Sequence, residues 1–285
     1  MTIFYDPCCL EYSRPGHPER PERIARTVPL LKDRHPEWKW QRPRAATDDE
    51  LLRAHSLQHL ERIADGREDF DLDTPLYPNI ETYARHSAGA AIEGARATLR
   101  GKSAFSLMRP PGHHATKDRA MGFCYFSNVA IAALDALENG AERVAIWDFD
   151  GHHGNGTEAI VAHDPRIQFA SIHQFPAYPG TGAKSFANID NYPVAPFTPR
   201  NEHVHLAKHS LEKVITFKPD LLFVSAGFDA FARDPLLQMT LEFEDFARFG
   251  EWLRNIGIPV AVVLEGGYSD DLPELIDAFL TNWQS

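Results

Sequence analysis

Between Val144 and Thr157 an apolar run ends in Asp148-Phe149-Asp150-Gly151-His152-His153-Gly154-Asn155-Gly156. Carboxylates and imidazoles are the side chains that hold divalent metals and move protons. If Arg143 to Asp148 is a β-strand, Asp148, Asp150 and His152 share one side of the extended chain, because side chains alternate with a period of two. Three potential ligands then line one wall. A calcium-loop register starting at Asp148 fails, since it puts His153 where glycine is needed and Ala159 where the final glutamate is needed.

The same residue types recur after other apolar runs. Arg109-Pro110-Pro111-Gly112-His113-His114 follows Ala104 to Met108, His173 follows Ile172, Ala226-Gly227-Phe228-Asp229 follows Leu221 to Ser225, and Glu265-Gly266-Gly267-Tyr268 follows Leu264. Ligands of open α/β sheets bind beyond the carboxyl ends of the strands, so these segments point to one site. Asp150, His152 and Asp229 supply two oxygens and a nitrogen, a set that binds Zn²⁺ with a position left open; Fe²⁺ or another divalent metal would also suit it. Such a metal lowers a water pKa to about 7 and polarises a carbonyl. His113 and His114, stiffened by Pro110 and Pro111, suit general base and acid work, with Asp148 a partner for one of them. Tyr268, on a Gly-Gly turn, reads either as a donor to a developing oxyanion or as a packing aromatic. Phe123 and Tyr178 read equally as walls of an apolar slot or as core. Gly154-Asn155-Gly156-Thr157 lacks the lysine of a nucleotide phosphate loop.

The elements that must position these residues follow from pattern. Ile3 to Tyr5 reads as a strand, Pro21 opens a helix with Ile24, Val28 and Leu31 as its buried stripe, and Thr47 to Glu50 has capping-box spacing. Ser56 caps a helix that stops at Gly66, Asp69 to Pro78 reads as loop, and an alanine-rich helix runs from about Glu81 to Arg100. Strands and helices then alternate: strand 104–108, helix 128–138, strand 143–148, helix 157–163, strand 167–172, strand 192–195, helix 202–217, strand 221–225, helix 242–255, strand 259–264 and a last helix from Leu272. Leu221 to Val224 and Val260 to Leu264 are apolar on both faces, as parallel strands covered by helices on either side must be. The class is α/β, in one domain spanning residues 1–285. His203, His205 and His209 fall in a polar helix and read as solvated.

The chain has 285 residues, 43% hydrophobic and 24% charged, with a formal net charge of −11. That charge would repel a phosphate backbone, so nucleic acid is not an expected ligand. Apolar runs are too short for a bilayer and Met1 to Asp6 lacks signal-peptide character, so no membrane association is expected and the cytoplasm is the expected location. Cys8, Cys9 and Cys124 form no paired spacing and should stay reduced.

Seven ordered segments together resemble the histone deacetylase superfamily, in its bacterial deacetylase-like and acetylpolyamine amidohydrolase branch. They are Gly16 to Ile24, Arg109 to Ala115, Gly122 to Tyr125, Asp148 to Gly156, Pro179 to Gly182, Ser225 to Ala230 and Glu265 to Tyr268. The resemblance implies the arginase/deacetylase fold with an eight-stranded, mostly parallel sheet, zinc on Asp150, His152 and Asp229, and His113 and His114 as acid/base pair. It implies Asp148 and Asn155 as their supports, although many members carry Asp where this chain has Asn155. It further implies Tyr268 as carbonyl polariser, a substrate channel at Gly122, Phe123, Tyr178, Leu236 and Gly267, and a structural K⁺ near Asp148, Ser171 and Ile172. Leu236 follows Asp234-Pro235 where polyamine-specific relatives often have Glu, which argues against a cationic substrate, and the short chain implies an open mouth. The expected substrate is an acylated lysine side chain or a small acylated amine, with acetylpolyamine hydrolysis as the alternative. A catalytically silent acyl-lysine reader and a two-metal ureohydrolase are the more distant readings.

Overall fold

A computed structural model of the chain describes residues 1–284. Eight strands form one sheet: β1 (Thr2–Phe4), β2 (Lys39–Gln41), β3 (Ala104–Ser106), β4 (Val144–Asp148), β5 (Ile167–Gln174), β6 (Ile189–Val194), β7 (Leu221–Ala226) and β8 (Val260–Leu264). Their spatial order is β2-β1-β3-β8-β7-β4-β5-β6, and every pairing is parallel. All strands therefore point their carboxyl ends to the same edge, and the four central ones end side by side.

Alternation within the strands explains the layers. On β4, Ala145 and Trp147 join one apolar cluster while Val144 and Ile146 join the other. One face is covered by α2 (Thr27–Arg34), α8 (Arg200–Thr216), α9 (Phe243–Arg254) and α10 (Leu272–Gln284), the other by α4 (Leu57–Ala64), α5 (Ile80–Leu99) and α6 (Asn128–Glu138). Trp147, Phe223 and Phe149 are at most 1% exposed, so the sheet is dry on both sides. Short helices α1 (Glu22–Ala25), α3 (Asp48–Leu51) and α7 (Asn155–Val161) complete the connections. Thr47 and Ser56 cap α3 and α4 as their spacing predicts, with the Thr47/Glu50 capping box formed in both directions.

Several expectations shift. The stripe expected after Pro21 breaks at Arg26 into α1 and α2, and α7 starts at Asn155 rather than Thr157. β6 begins at Ile189, three residues before the expected start, and β5 runs on through Gln174, so His173 lies inside the strand rather than after it. The eighth strand, β2, has only three residues, none of them buried, and carries too little apolar pattern to be read from sequence. His203 is 2% exposed, not solvated; it shares the inward stripe of α8 with Ala207, Ser210, Leu211 and Val214. Burial pushes its imidazole down to about 4. His205 and His209 are exposed as expected.

Candidate active site

Strand β4 ends at Asp148, and the chain then turns rather than continuing extended. The Asp148 carboxylate accepts the Asp150 amide at 3.0 Å, and the Asp150 carboxylate accepts the His152 amide at 2.8 Å. Each carboxylate thus shapes the turn that presents the next ligand candidate. The second oxygen of Asp150 accepts the Gly266 amide at 2.7 Å, and Asp229 accepts the Gly151 amide at 2.6 Å. Gly227 is required by close approach: a Cβ there would lie 1.9 Å from the Asp150 carboxylate.

Asp150, His152 and Asp229 converge, with one donor atom from each lying within 4.8 Å of the others. His152 Nδ1 faces Asp229 Oδ2 at 2.7 Å and Asp150 Oδ1 at 3.4 Å. Asp148, Asp150 and Asp229 are all 0% exposed. A buried carboxylate costs several kcal/mol unless compensated, and three share this space. Two oxygens and a nitrogen, oriented by backbone amides and carrying excess negative charge, fit a divalent cation of the zinc type.

The tandem histidines occupy contrasting surroundings. His113 Nδ1 meets Asp148 Oδ2 at 3.0 Å, whereas His114 Nδ1 meets the Asn155 side-chain oxygen at 2.7 Å. An oxygen of an amide only accepts, so His114 carries its proton on Nδ1 and keeps Nε2 free as a base. Burial alone would lower His113, but the charges of Asp150 and Asp148 override it and lift the imidazole to about 10. Burial holds His114 well below the ordinary range, and neighbouring His113 and His152 push it the same way. Glu265 fixes the turn below both rings by accepting the amides of Gly112 at 2.7 Å and His113 at 3.1 Å.

Tyr268 stands on a turn that needs Gly267 at φ 114°. Burial raises its phenol well above the ordinary value, so it stays protonated and able to donate. The Arg23 guanidinium stacks over its ring at 4.8 Å and donates to the Gly267 carbonyl at 2.7 Å and to the Glu265 carbonyl. Glu19 pairs with both Arg23 and Arg109, so two buried arginines share one buried carboxylate. On the other side, Asp234 accepts the Tyr268 amide at 2.7 Å and the Leu236 amide at 3.0 Å.

These loops enclose a slot of about 290 Å³ lined by His114, His152, Tyr268, Gly122, Phe123, Tyr178 and Leu236, with His17, Pro18, Leu72 and Asp73 toward its mouth. Phe123 and Tyr178 are therefore walls rather than core; Phe123 packs edge-on against Tyr268 at 5.6 Å and Tyr178 against His114 at 5.2 Å. The slot widens into a groove of about 630 Å³ that shares His17, Pro18, Leu236 and Tyr268, consistent with an open mouth. His113 and Gly267 do not line the slot, and His173 turns away to Ser171 and the Gly182 carbonyl. Ser171 sits beside Asp148 in the β4–β5 register, with Ile172 next along β5. Asp73 escapes sequence reasoning, as do the roles of His17 and Asp234, because what they do depends on neighbours distant in the chain.

The fold is shared with a solved acetylpolyamine aminohydrolase from Burkholderia pseudomallei: TM-score 0.89, 26% identity, all of this chain and 99% of that one covered. Residues 17–282 match the family model described as "Histone deacetylase domain", and the chain belongs to that family of hydrolases. It is 38% identical over 286 residues to a "Probable deacetylase" of Methanothermobacter thermautotrophicus, covering 95% of this chain and 86% of the relative. It is also 37% identical over 279 residues to the "Histone deacetylase-like amidohydrolase" of Pseudomonas aeruginosa, covering 90% and 73%.

Proposed function

We propose that this chain is a zinc-dependent amidohydrolase that removes acetyl or other short acyl groups from lysine side chains or related primary amines. The observation that carries the reading is that one narrow slot opens onto a neutral imidazole, His114, a protonated phenol, Tyr268, and His152 of the ligand-type trio. Asp150, His152 and Asp229 would hold the metal, which supplies Lewis-acid polarisation of the amide carbonyl and of the attacking water. Fe²⁺ would fit the same donors.

His114 Nε2 takes a proton from water as its oxygen bonds to the carbonyl carbon, and the carbonyl π electrons move onto oxygen. The Tyr268 hydroxyl donates to that oxyanion. The C–N bond then breaks as His114 returns the proton to the amine nitrogen, and the acid's own proton passes to the released amine, giving a carboxylate and a protonated amine. His113, held charged against Asp148 and shielded from the slot, stabilises the anionic stages from behind. A K⁺ among Asp148, Ser171 and the Ile172 carbonyl would brace the same strand ends. Phe123 and Tyr178, both lining the slot, would flank an unbranched methylene chain, which is the shape of a lysine stem.

Neutral Leu236 at the rim favours acyl-lysine over acylpolyamine. The test compares acetate release from an acetyl-lysine peptide and from acetylputrescine by metal-stripped protein before and after one equivalent of zinc. Activity should appear with zinc and be greater on the peptide. Greater activity on acetylputrescine would move the assignment to the polyamine reading, and no acyl release from either would overturn both.

A further inference from the structure

At the far side of the same sheet edge, Asp6, Cys8 and His86 bring a carboxylate oxygen, a thiol sulfur and a ring nitrogen within 4.8 Å of one another, all three side chains partly exposed. They come from three places: the end of β1, the single 3₁₀ turn Pro7–Leu10 that follows it, and the first half of α5. We propose that they form a second metal site, distinct from Asp150, His152 and Asp229, that takes a borderline-soft divalent ion of the zinc class with water completing its shell. Sulfur and nitrogen donors exclude magnesium and calcium as the preferred occupants.

Each ligand is already oriented. His86 Nδ1 lies 3.2 Å from the Pro43 carbonyl, which can only accept, so Nδ1 bears the hydrogen and Nε2 keeps its lone pair. This is the usual outer bond of a metal-binding histidine. Asp6 Oδ1 accepts the Cys8 amide at 2.9 Å, which fixes the carboxylate beside the thiol. The Cys8 thiol donates to the same carboxylate, and Arg42 lies 3.7 Å from Oδ2 on a side chain that is 72% exposed. Donors on a tetrahedral ion with bonds of about 2.0–2.3 Å lie about 3.5 Å apart, so closing the cluster takes about 1 Å of side-chain movement. Burial pushes the Cys8 thiol up and the Asp6 carboxylate adds to it, so the thiol keeps its proton until a metal ion displaces it, one proton leaving per ion bound. Asp6 also caps the 3₁₀ turn, so capping without metal binding is the rival account.

The first site contains no sulfur ligand, and Cys9 and Cys124 are fully buried, so a sulfur-to-metal signal reports Cys8 alone. Co²⁺ is added stepwise to wild type, Cys8→Ser and His86→Ala already loaded with one equivalent of zinc, and to metal-free Asp229→Ala, and the near-ultraviolet sulfur-to-cobalt charge-transfer band is followed. The proposal expects the band to saturate at one cobalt, to vanish in Cys8→Ser, to weaken in affinity by roughly tenfold or more in His86→Ala, and to persist in Asp229→Ala. If Cys8→Ser does not fold, His86→Ala carries the test. No band in the wild type, an unchanged affinity in His86→Ala, or loss of the band in Asp229→Ala would each overturn it.

Discussion

Two histidines adjacent in the chain sit in opposite electrostatic surroundings. His113 has a carboxylate at its Nδ1, and the charges of Asp150 and Asp148 favour its protonated form, while His114 has an amide oxygen at the equivalent atom and is held toward its neutral form by burial. Only His114 reaches the slot. Tandem imidazoles therefore need not act alike, because the partner at Nδ1 decides which ring moves protons and which supplies fixed charge.

Removing each ring in turn is the strongest challenge to this division. His114→Ala should lower kcat by about 10³-fold or more, since general acid–base groups contribute about 10²–10⁴. His113→Gln should cost about 10²-fold, with the metal content of both variants measured to show that the ligands remain in place. Equal losses would erase the distinction. A milder cut, Asp148→Asn, removes the hydrogen-bonded carboxylate from His113 and should cost about 10–100-fold in kcat/KM, the usual effect of losing an outer-shell carboxylate.

The smallest effect concerns Asp234, which touches neither imidazole but ties the Tyr268 turn to the Leu236 wall through two amides. Asp234→Ala should reduce kcat by about tenfold with little change in KM, because a misplaced donor is lost chiefly from the transition state. In a Tyr268→Phe background the same change should have almost no further effect. A full tenfold loss there would mean that Asp234 acts through something other than Tyr268.

Much of this arrangement is legible in the sequence. Buried parallel strands must be apolar on both faces, so β7 and β8 stand out as runs, and the polar residues directly beyond each run mark the sheet edge where ligands gather. Asp148, Asp150, His152, Asp229, His113 and His114 are therefore found together. The parts that escape lack such a trace. β2 is a short exposed edge, His203 is a polar residue on an otherwise small and apolar stripe, and Asp234 and Arg23 act on backbone amides and carbonyls. Backbone groups are the same at every position, so no residue pattern betrays their partners. Arg23 reaches Gly267 from 244 residues away.

The division of labour between the imidazoles is tested most directly by the pH dependence of kcat/KM on an acetyl-lysine peptide for wild type, Asn155→Asp and Asp148→Asn. The working ring must be neutral to accept a proton, so activity falls as pH drops through its pKa. A carboxylate at position 155 stabilises the protonated ring and raises that pKa, so the acidic limb should move to higher pH by about one unit or more in Asn155→Asp and scarcely move in Asp148→Asn. An acidic limb that shifts in Asp148→Asn and stays fixed in Asn155→Asp would show that His113, not His114, is the working base.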